Sequence, residues 1–376
     1  MSWGHYGVNN FILANINRQL PAITLSFTEC LEPLGMESGD IFDEQLSESS
    51  YWIGPTDHSA RRGRLNLTPL AGSYIGGWCV GNGESDLIHP WIQINLLVEH
   101  NVTGIQTQGR NDQGQWVRIY TISYIKVHEM GETYITDGYG NRKVFDGNSD
   151  KNSIRAHYFN PVIQAVIIRI RPKDWMGNVC LRTEVLGCRI GKEWVRVFKG
   201  ISMTGLSIYD AWNTGAGASS YHADRFLISN KHYRNNAILN NWSSFGIKKV
   251  KLTLFSPTNE EVVSVIFNSV SATSTSWFSR DNLESSPWDD IKTATINYFS
   301  IAGHDGSVRR NFFMSNAYCG CTCDVGWLVV EAGTSCPSWE GYSTNPRILY
   351  SKAATSQSWY SGEIGLARAM TIDVTF

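Results

Sequence analysis

Apolar and polar residues alternate along most of this chain. Ile92, Ile94 and Leu96 are separated by Gln93 and Asn95, and Tyr120, Ile122 and Tyr124 by Thr121 and Ser123. Val166, Ile168 and Ile170 share one parity, with Arg169 and Arg171 on the other. Leu181, Thr183 and Val185 alternate with Arg182 and Glu184. The habit continues through Val250, Leu252 and Leu254, through Val263, Val265 and Phe267, and through Ile372, Val374 and Phe376. A period of two turns one set of side chains inward and the other to water, so each run predicts a half-buried β-strand. Clusters of Gly, Asn, Asp and Ser divide the runs, and 34 glycines and 11 prolines supply the turns. Helical periodicity is scarce. The pattern predicts an all-β chain of antiparallel sheets packed as sandwiches.

The length, 376 residues, suits two domains. Cys188 ends one strand pattern, a short polar stretch follows, and Trp194-Val195-Arg196-Val197-Phe198 starts another. The reading is a leader over 1–29, a first domain over 30–188, a linker over 189–193 and a second domain over 194–376. So short a linker implies that the domains touch. Hydrophobic residues at 42% and charged residues at 18% provide for real cores. A net charge of -2 gives no global field towards nucleic acid or an anionic membrane. The basic clusters Arg61-Arg62, Lys248-Lys249 and Arg309-Arg310 read as solvated turns. No run approaches the ~20 apolar residues of a membrane helix. Met1 to Phe27 lacks the basic start and apolar block of a signal peptide.

Cysteine usage changes the picture. The eight cysteines fall at 30, 79, 180 and 188, then at 319, 321, 323 and 336. Their split suits one disulfide framework per domain, and the sequons at Asn66, Asn101 and Asn241 point the same way. The expectation is a secreted, extracellular protein.

The first domain carries a resemblance. Cys30-Leu31-Glu32-Pro33-Leu34-Gly35-Met36 is followed by Gly63-Arg64-Leu65-Asn66, Trp91-Ile92-Gln93-Ile94 and Thr107-Gln108-Gly109-Arg110. Phe145-Asp146-Gly147 comes next, then Ile168-Arg169-Ile170-Arg171-Pro172 and Leu181-Arg182-Thr183-Glu184-Val185-Leu186-Gly187-Cys188. Together, in this order, they resemble the discoidin, or coagulation factor type C, domains. The resemblance implies an eight-stranded β-sandwich or distorted barrel with a Cys30–Cys188 bridge. Closing that loop contributes up to ~5 kcal/mol by chain-entropy arithmetic. The second pair, Cys79 and Cys180, is similar to the extra bridge of the collagen-binding discoidin domain receptors.

In that fold, ligands meet loops at one end of the barrel. Here those tips are 49–62, 72–85, 110–115 and 174–178. The resemblance and the residue types make Tyr51, Trp52, Ile53, His58, Arg62, Trp78, Arg110, Asp112 and Gln115 the candidate ligand-binding set. Trp52 offers a large rigid apolar contact, and the planar fork of Arg110 suits a carboxylate, phosphate or sulfate. The collagen-binding relatives pair such a Trp and Arg with a Glu, where this chain has Gln115 or Trp116. The implied partners are an extracellular matrix protein, a cell-surface glycan or a phospholipid, and not nucleic acid. Trp91, Trp116 and Trp175 are expected in the core. Asp40, Asp43, Asp146 and Asp150 are oxygen donors that would suit a structural calcium ion, although turn formation is the first reading for each; no other cofactor is implied.

The second half holds eight of the fourteen tryptophans. Trp277-Phe278-Ser279, Arg309-Arg310-Asn311-Phe312-Phe313, Gly326-Trp327-Leu328 and Cys336-Pro337-Ser338-Trp339 resemble the C-terminal region of an uncharacterised skeletal organic matrix protein of stony corals. The expectation is a second β-rich, sandwich-like domain. Cys319-Gly320-Cys321-Thr322-Cys323 is too tight for ordinary zinc spacing, so two disulfides are expected, one of them joining Cys336 to the cluster. Pairing within the cluster is expected to be restricted. No G-x-S-x-G, H-E-x-x-H, P-loop or dinucleotide fingerprint is present, and His304-Asp305-Gly306 reads as a turn. The function expected is recognition or adhesion without catalysis. The alternatives are a structural matrix component and a secreted carbohydrate-active enzyme carrying a discoidin module.

Overall fold

A computed structural model of the chain describes residues 30–190, 194–304, 308–333, 335–341 and 344–376. The expected leader, the linker centre 191–193 and the turn residues 305 and 306 lie outside the described residues.

Four long strands build the first domain: Ile92–Gln108, Trp116–Ile125, Arg155–Met176 and Cys180–Arg189. They pair antiparallel, with Ile92–Gln108 between Cys180–Arg189 and Arg155–Met176. Ile92–Gln108 changes register between Asn95 and His100 and again between Val102 and Gly104. Each bulge bends the strand. Its first part therefore pairs with Leu46–Glu48 while its second part pairs with Cys180–Arg189. One strand thus serves both layers and curls the sheet towards closure. The sheet counts nine strands where eight were expected. The surplus reflects two-residue pieces such as Glu32–Pro33 and Trp78–Cys79.

The alternating set forms the core as the pattern requires. Ile92, Ile94, Val117, Tyr120, Ile122, Ile168, Ile170, Leu181 and Val185 are all inaccessible to solvent. The opposite face of Cys180–Arg189 departs from the pattern, because Arg182 and Glu184 are buried too. Arg182 donates to the carbonyls of Gly109, Leu67 and Lys151. Glu184 accepts the N–H groups of Gly35, Met36 and Glu37. Both charges are enclosed because loops fold over that face and supply their hydrogen bonds. The bridges Cys30–Cys188 and Cys79–Cys180 are formed. Trp116, Trp91 and Trp175 are half-buried, and of the three Trp175 packs against the first domain's core. Trp91 carries the Arg169 guanidinium 4.3 Å above its ring.

The second domain packs a seven-stranded sheet against a six-stranded one. Val195–Ile201, Ala369–Thr375, Lys249–Phe255 and Glu261–Asn268 lie side by side in the first, and Arg310–Ala317, Val325–Glu331, Arg347–Ser351 and Ile364–Ala367 in the second. Trp212, Trp277, Phe267, Phe278, Phe312 and Trp327 fill the space between. Trp212 meets Phe198, Trp277 and Phe312 edge to face, an arrangement that favours aromatic pairs. Cys336 pairs with Cys321. The expected restriction on pairing inside the cluster is overturned, since Cys319 bonds Cys323. A turn at Gly320, with φ of +123°, folds the segment back and brings the two Cα atoms to 5.8 Å.

The domains meet directly. Leu97 of the first joins the second domain's core. Phe42 meets Phe245 at 5.1 Å, and Arg189 lies 4.9 Å over the Phe376 ring. Arg225 donates to the Val127 carbonyl.

Candidate functional site

The four predicted loop tips converge. Trp52, His58, Cys79, Asn82, Arg110 and Asn178 help to line one depression of about 600 Å³ at the end of the first domain. The segment from Ser49 to Ile88 holds little regular structure, so its shape depends on specific ties. Trp78 is the central one. Its side chain is fully buried in the barrel core and its indole N–H donates to the Ser50 carbonyl. Trp78 is therefore a pillar beneath the site and not a ligand contact, which corrects its place in the candidate set. Pinning this one side chain fixes its neighbours. The Trp52 N–H donates to the Cys79 carbonyl, and the Cys79 N–H to that of His58. The Cys79–Cys180 bridge anchors the same stretch to the last long strand.

Trp52 is half-buried, and its ring leans on the His58 imidazole with centroids 4.5 Å apart. Gly54 makes room for it, since a Cβ there would lie 1.9 Å from the Trp52 ring. His58 is 4% exposed, and its Nδ1 donates to the Thr56 carbonyl at 2.7 Å. Burial, with the nearby Arg110 charge, holds the imidazole below its ordinary pKa, so it stands neutral at pH 7. Tyr51 and Ile53 flank Trp52 on the outside, Ile53 at 85% exposed.

Arg110 also lines the depression. Its Nε and Nη2 grip both oxygens of Asp112 at 2.9 and 2.8 Å, and Nη1 donates to Gln115 Oε1 at 3.1 Å. Asp112 Oδ1 also accepts the Gly76 N–H, joining two of the tips. Burial alone would raise the Asp112 carboxyl, but the guanidinium and the Gly76 N–H outweigh it and hold the pKa below 3.8. The Arg110 fork is thus already engaged, oriented by Asp112 and Gln115 at the depression. Arg62 stands outside the depression. It donates to the carbonyls of Ile75 and Thr68 and lies 4.6 Å over the Tyr74 ring, bracing the neighbouring loop.

Sequence reasoning named the tips but missed Asn82, Leu87 and Asn178 as lining residues. Asn178 follows Gly177, whose φ of +70° marks a turn that glycine permits, and that signal was readable. Leu87 sits on the short helix Glu84–Ile88, which has too few residues to show a period. The four aspartates do not come together. Asp43 pairs with Arg64, Asp150 caps the N–H groups of Asn152 and Ser153, and Asp40 bonds Ser38. The Asp146 backbone accepts from His157. Among the described residues, no three His, Cys, Asp or Glu side chains are grouped to hold a metal. Asn66 is exposed, with its amide donating to Glu37, whereas Asn101 and Asn241 are half-buried. Asn241 donates its amide to the Ala237 carbonyl.

The F5/8 type C domain family model matches residues 45–185. The EGF-like repeat and discoidin I-like domain-containing protein 3 of Homo sapiens is 36% identical over 165 residues, which are 42% of this chain and 33% of that protein. The chain thus spans about a third of that relative's length. Retinoschisin of Mus musculus is 32% identical over 160 residues, which are 42% of this chain and 68% of retinoschisin. The solved structure of discoidin II from Dictyostelium discoideum matches with a TM-score of 0.34 at 24% identity, over 42% of this chain and 61% of that one.

Proposed function

The chain belongs to the F5/8 type C, or discoidin, domain family, and on that premise we propose that it is an extracellular recognition protein. Its ligand, an extracellular matrix protein, a cell-surface glycan or a phospholipid head group, is held in the loop-tip depression of the first domain. One observation carries this reading: separate loops converge on a depression with an aromatic wall at Trp52 and an oriented cation at Arg110. Such a site combines an apolar face with a few directed polar groups, the usual make-up of a recognition pocket. Four disulfides support an extracellular, oxidising setting. The reading is one of binding, because the polar groups in the depression are committed to one another. His58 is tied to Thr56 and Arg110 to Asp112.

A screen of the folded chain against collagens, a glycan array and phosphatidylserine vesicles, with and without calcium, tests it. The expected result is a hit that Trp52→Ala weakens by about 2 kcal/mol, roughly thirtyfold. A hit indifferent to both Trp52→Ala and Arg110→Ala moves the site elsewhere. Self-association without any capture supports the structural-matrix alternative instead.

A further inference from the structure

A cavity larger than the loop-tip depression lies away from it. It lies in the second domain, measures about 880 Å³, and opens where the two sheets part. Arg368 is the single residue between Ile364–Ala367 of one sheet and Ala369–Thr375 of the other. The cavity gathers around this crossing.

Its floor is fixed. His232 is fully buried, and its Nδ1 accepts the Ile201 N–H at 3.0 Å. The proton must then sit on Nε2, which faces the Leu206 carbonyl at 3.1 Å and Thr204 Oγ1 at 3.2 Å. The loop it holds carries Met203 at φ +58°, kept there by N–H bonds from Met203 to Pro346 and from Gly205 to Asn345, each 2.8 Å. At the mouth, Met203, Leu206 and Leu366 are 49%, 48% and 40% exposed. Three aliphatic side chains therefore face solvent around one opening.

The charge at this opening has one sign. Lys231, Arg347 and Arg368 line the cavity, and no carboxylate lines it among the described residues. Arg368 donates to Asn259 Oδ1, Asn230 Oδ1 and the Leu227 carbonyl, all neutral acceptors. Lys231 is 72% exposed, and its ion-pair partner Asp224 lies 3.8 Å away, already bonded by Ser219 and Ser229 at 2.6 Å each. No Phe, Tyr or Trp lines the cavity among the described residues, and the His232 ring is fully buried, so a sugar has no stacking face there.

We propose that this cavity binds an anionic amphiphile, with an aliphatic body against Met203, Leu206 and Leu366 and a carboxylate or sulfate head towards Lys231 and Arg368. The apolar lining removes the chain from water, and the cations supply the charge-assisted bonds that orient the head. This site is separate from the loop-tip depression and needs none of its residues.

Calorimetric titration of the full chain with dodecanoate, below its micelle concentration, tests the proposal. Acetate and dodecanol are the comparison ligands. Saturable binding of one dodecanoate is expected, with acetate failing for want of a chain and dodecanol weaker for want of a charge. Lys231→Gln is expected to weaken dodecanoate by about tenfold. Leu206→Asp, which sets a carboxylate at the mouth, is expected to abolish the binding. Lys173→Gln, an exposed cation removed from the first domain, is expected to leave it unchanged. Both mouth variants alter exposed side chains, and unchanged thermal unfolding confirms that they fold. No saturation with dodecanoate, equal affinity for dodecanol, or full affinity in Leu206→Asp overturns the proposal.

Discussion

The Arg110–Asp112 pair is the feature of the depression with the sharpest consequence. Asp112→Ala removes two charged hydrogen bonds to the guanidinium and the tie to the Gly76 N–H that joins two loop tips. The two side chains are 14% and 24% exposed, between a surface pair and a buried one. Exposed pairs contribute up to about 1 kcal/mol, while bidentate charged bonds with little solvent contribute more. With screening allowed for, the coupling between the two side chains should be about 1 kcal/mol. A double-mutant cycle of Arg110→Ala, Asp112→Ala and the double variant isolates it from the Gly76 bond. Urea unfolding at pH 7 is the assay for stability. The pH dependence follows from the depressed Asp112 pKa. A carboxyl ionised more readily in the fold than in the unfolded chain stabilises above its unfolded value of 3.8 and loses that contribution as the pH falls below about 4. The coupling should therefore be complete at pH 7 and decline towards pH 3. Ligand affinity should fall in Asp112→Ala as well, because the freed guanidinium regains rotamers that binding must freeze again. A coupling near zero at pH 7, or one unchanged at pH 3, refutes the reasoning.

Three further outcomes follow from the same geometry. Gly54→Ala places a methyl within 1.9 Å of the Trp52 ring, so the ring must turn away; affinity in a ligand-capture assay should drop about as far as in Trp52→Ala, with little change in unfolding. Cys79→Ser with Cys180→Ser opens a loop of 101 residues and should lower stability by up to about 4.7 kcal/mol, with limited proteolysis appearing in 72–85 first. Burial and the neighbouring Glu340 push Glu331 up to about 8, so the folded state holds a proton that the unfolded chain releases above 4.5. Stability should fall as the pH rises from 5 to 8, and urea midpoints of Glu331→Gln should show a smaller fall.

The alternating runs made the strands legible because a barrel core records its inward face as every second residue. Ile92, Ile94, Tyr120, Ile122, Ile168 and Ile170 are where that rule puts them. The rule fails on Cys180–Arg189, where the outward Arg182 and Glu184 are enclosed by loops that carry no period of their own. The same blindness separates Trp78 from Trp52. Both stand in turn-rich sequence, and only the closing of the loop onto the barrel decides that one is a pillar and the other a wall. The cysteine cluster was misjudged for a related reason. Strand spacing separates Cys319 from Cys323, but Gly320 breaks the strand and a turn brings them together. The second domain's cavity left no trace in the sequence, since its lining comes from strand ends far apart in the chain.

A loop-built depression is useful for recognition only if its shape exists before the ligand arrives. Each long side chain frozen on binding costs roughly 0.5–1.5 kcal/mol, so a floppy rim would spend most of its contact energy on ordering. Here that ordering is met during folding. Trp78 is sunk into the barrel, Cys79 is bridged to Cys180, and Arg62 spans the 68–75 stretch through two carbonyls. Asp112 then joins the 110–115 tip to Gly76. These ties use buried or braced groups beneath the rim, which leaves Tyr51, Ile53 and the outer face of Trp52 free of structural duty. Under the proposed function, structural and ligand-facing roles fall on neighbouring residues, as with Trp78 and Trp52. The rim can therefore vary in chemistry while the support beneath it stays constant, which is how one barrel presents different binding surfaces.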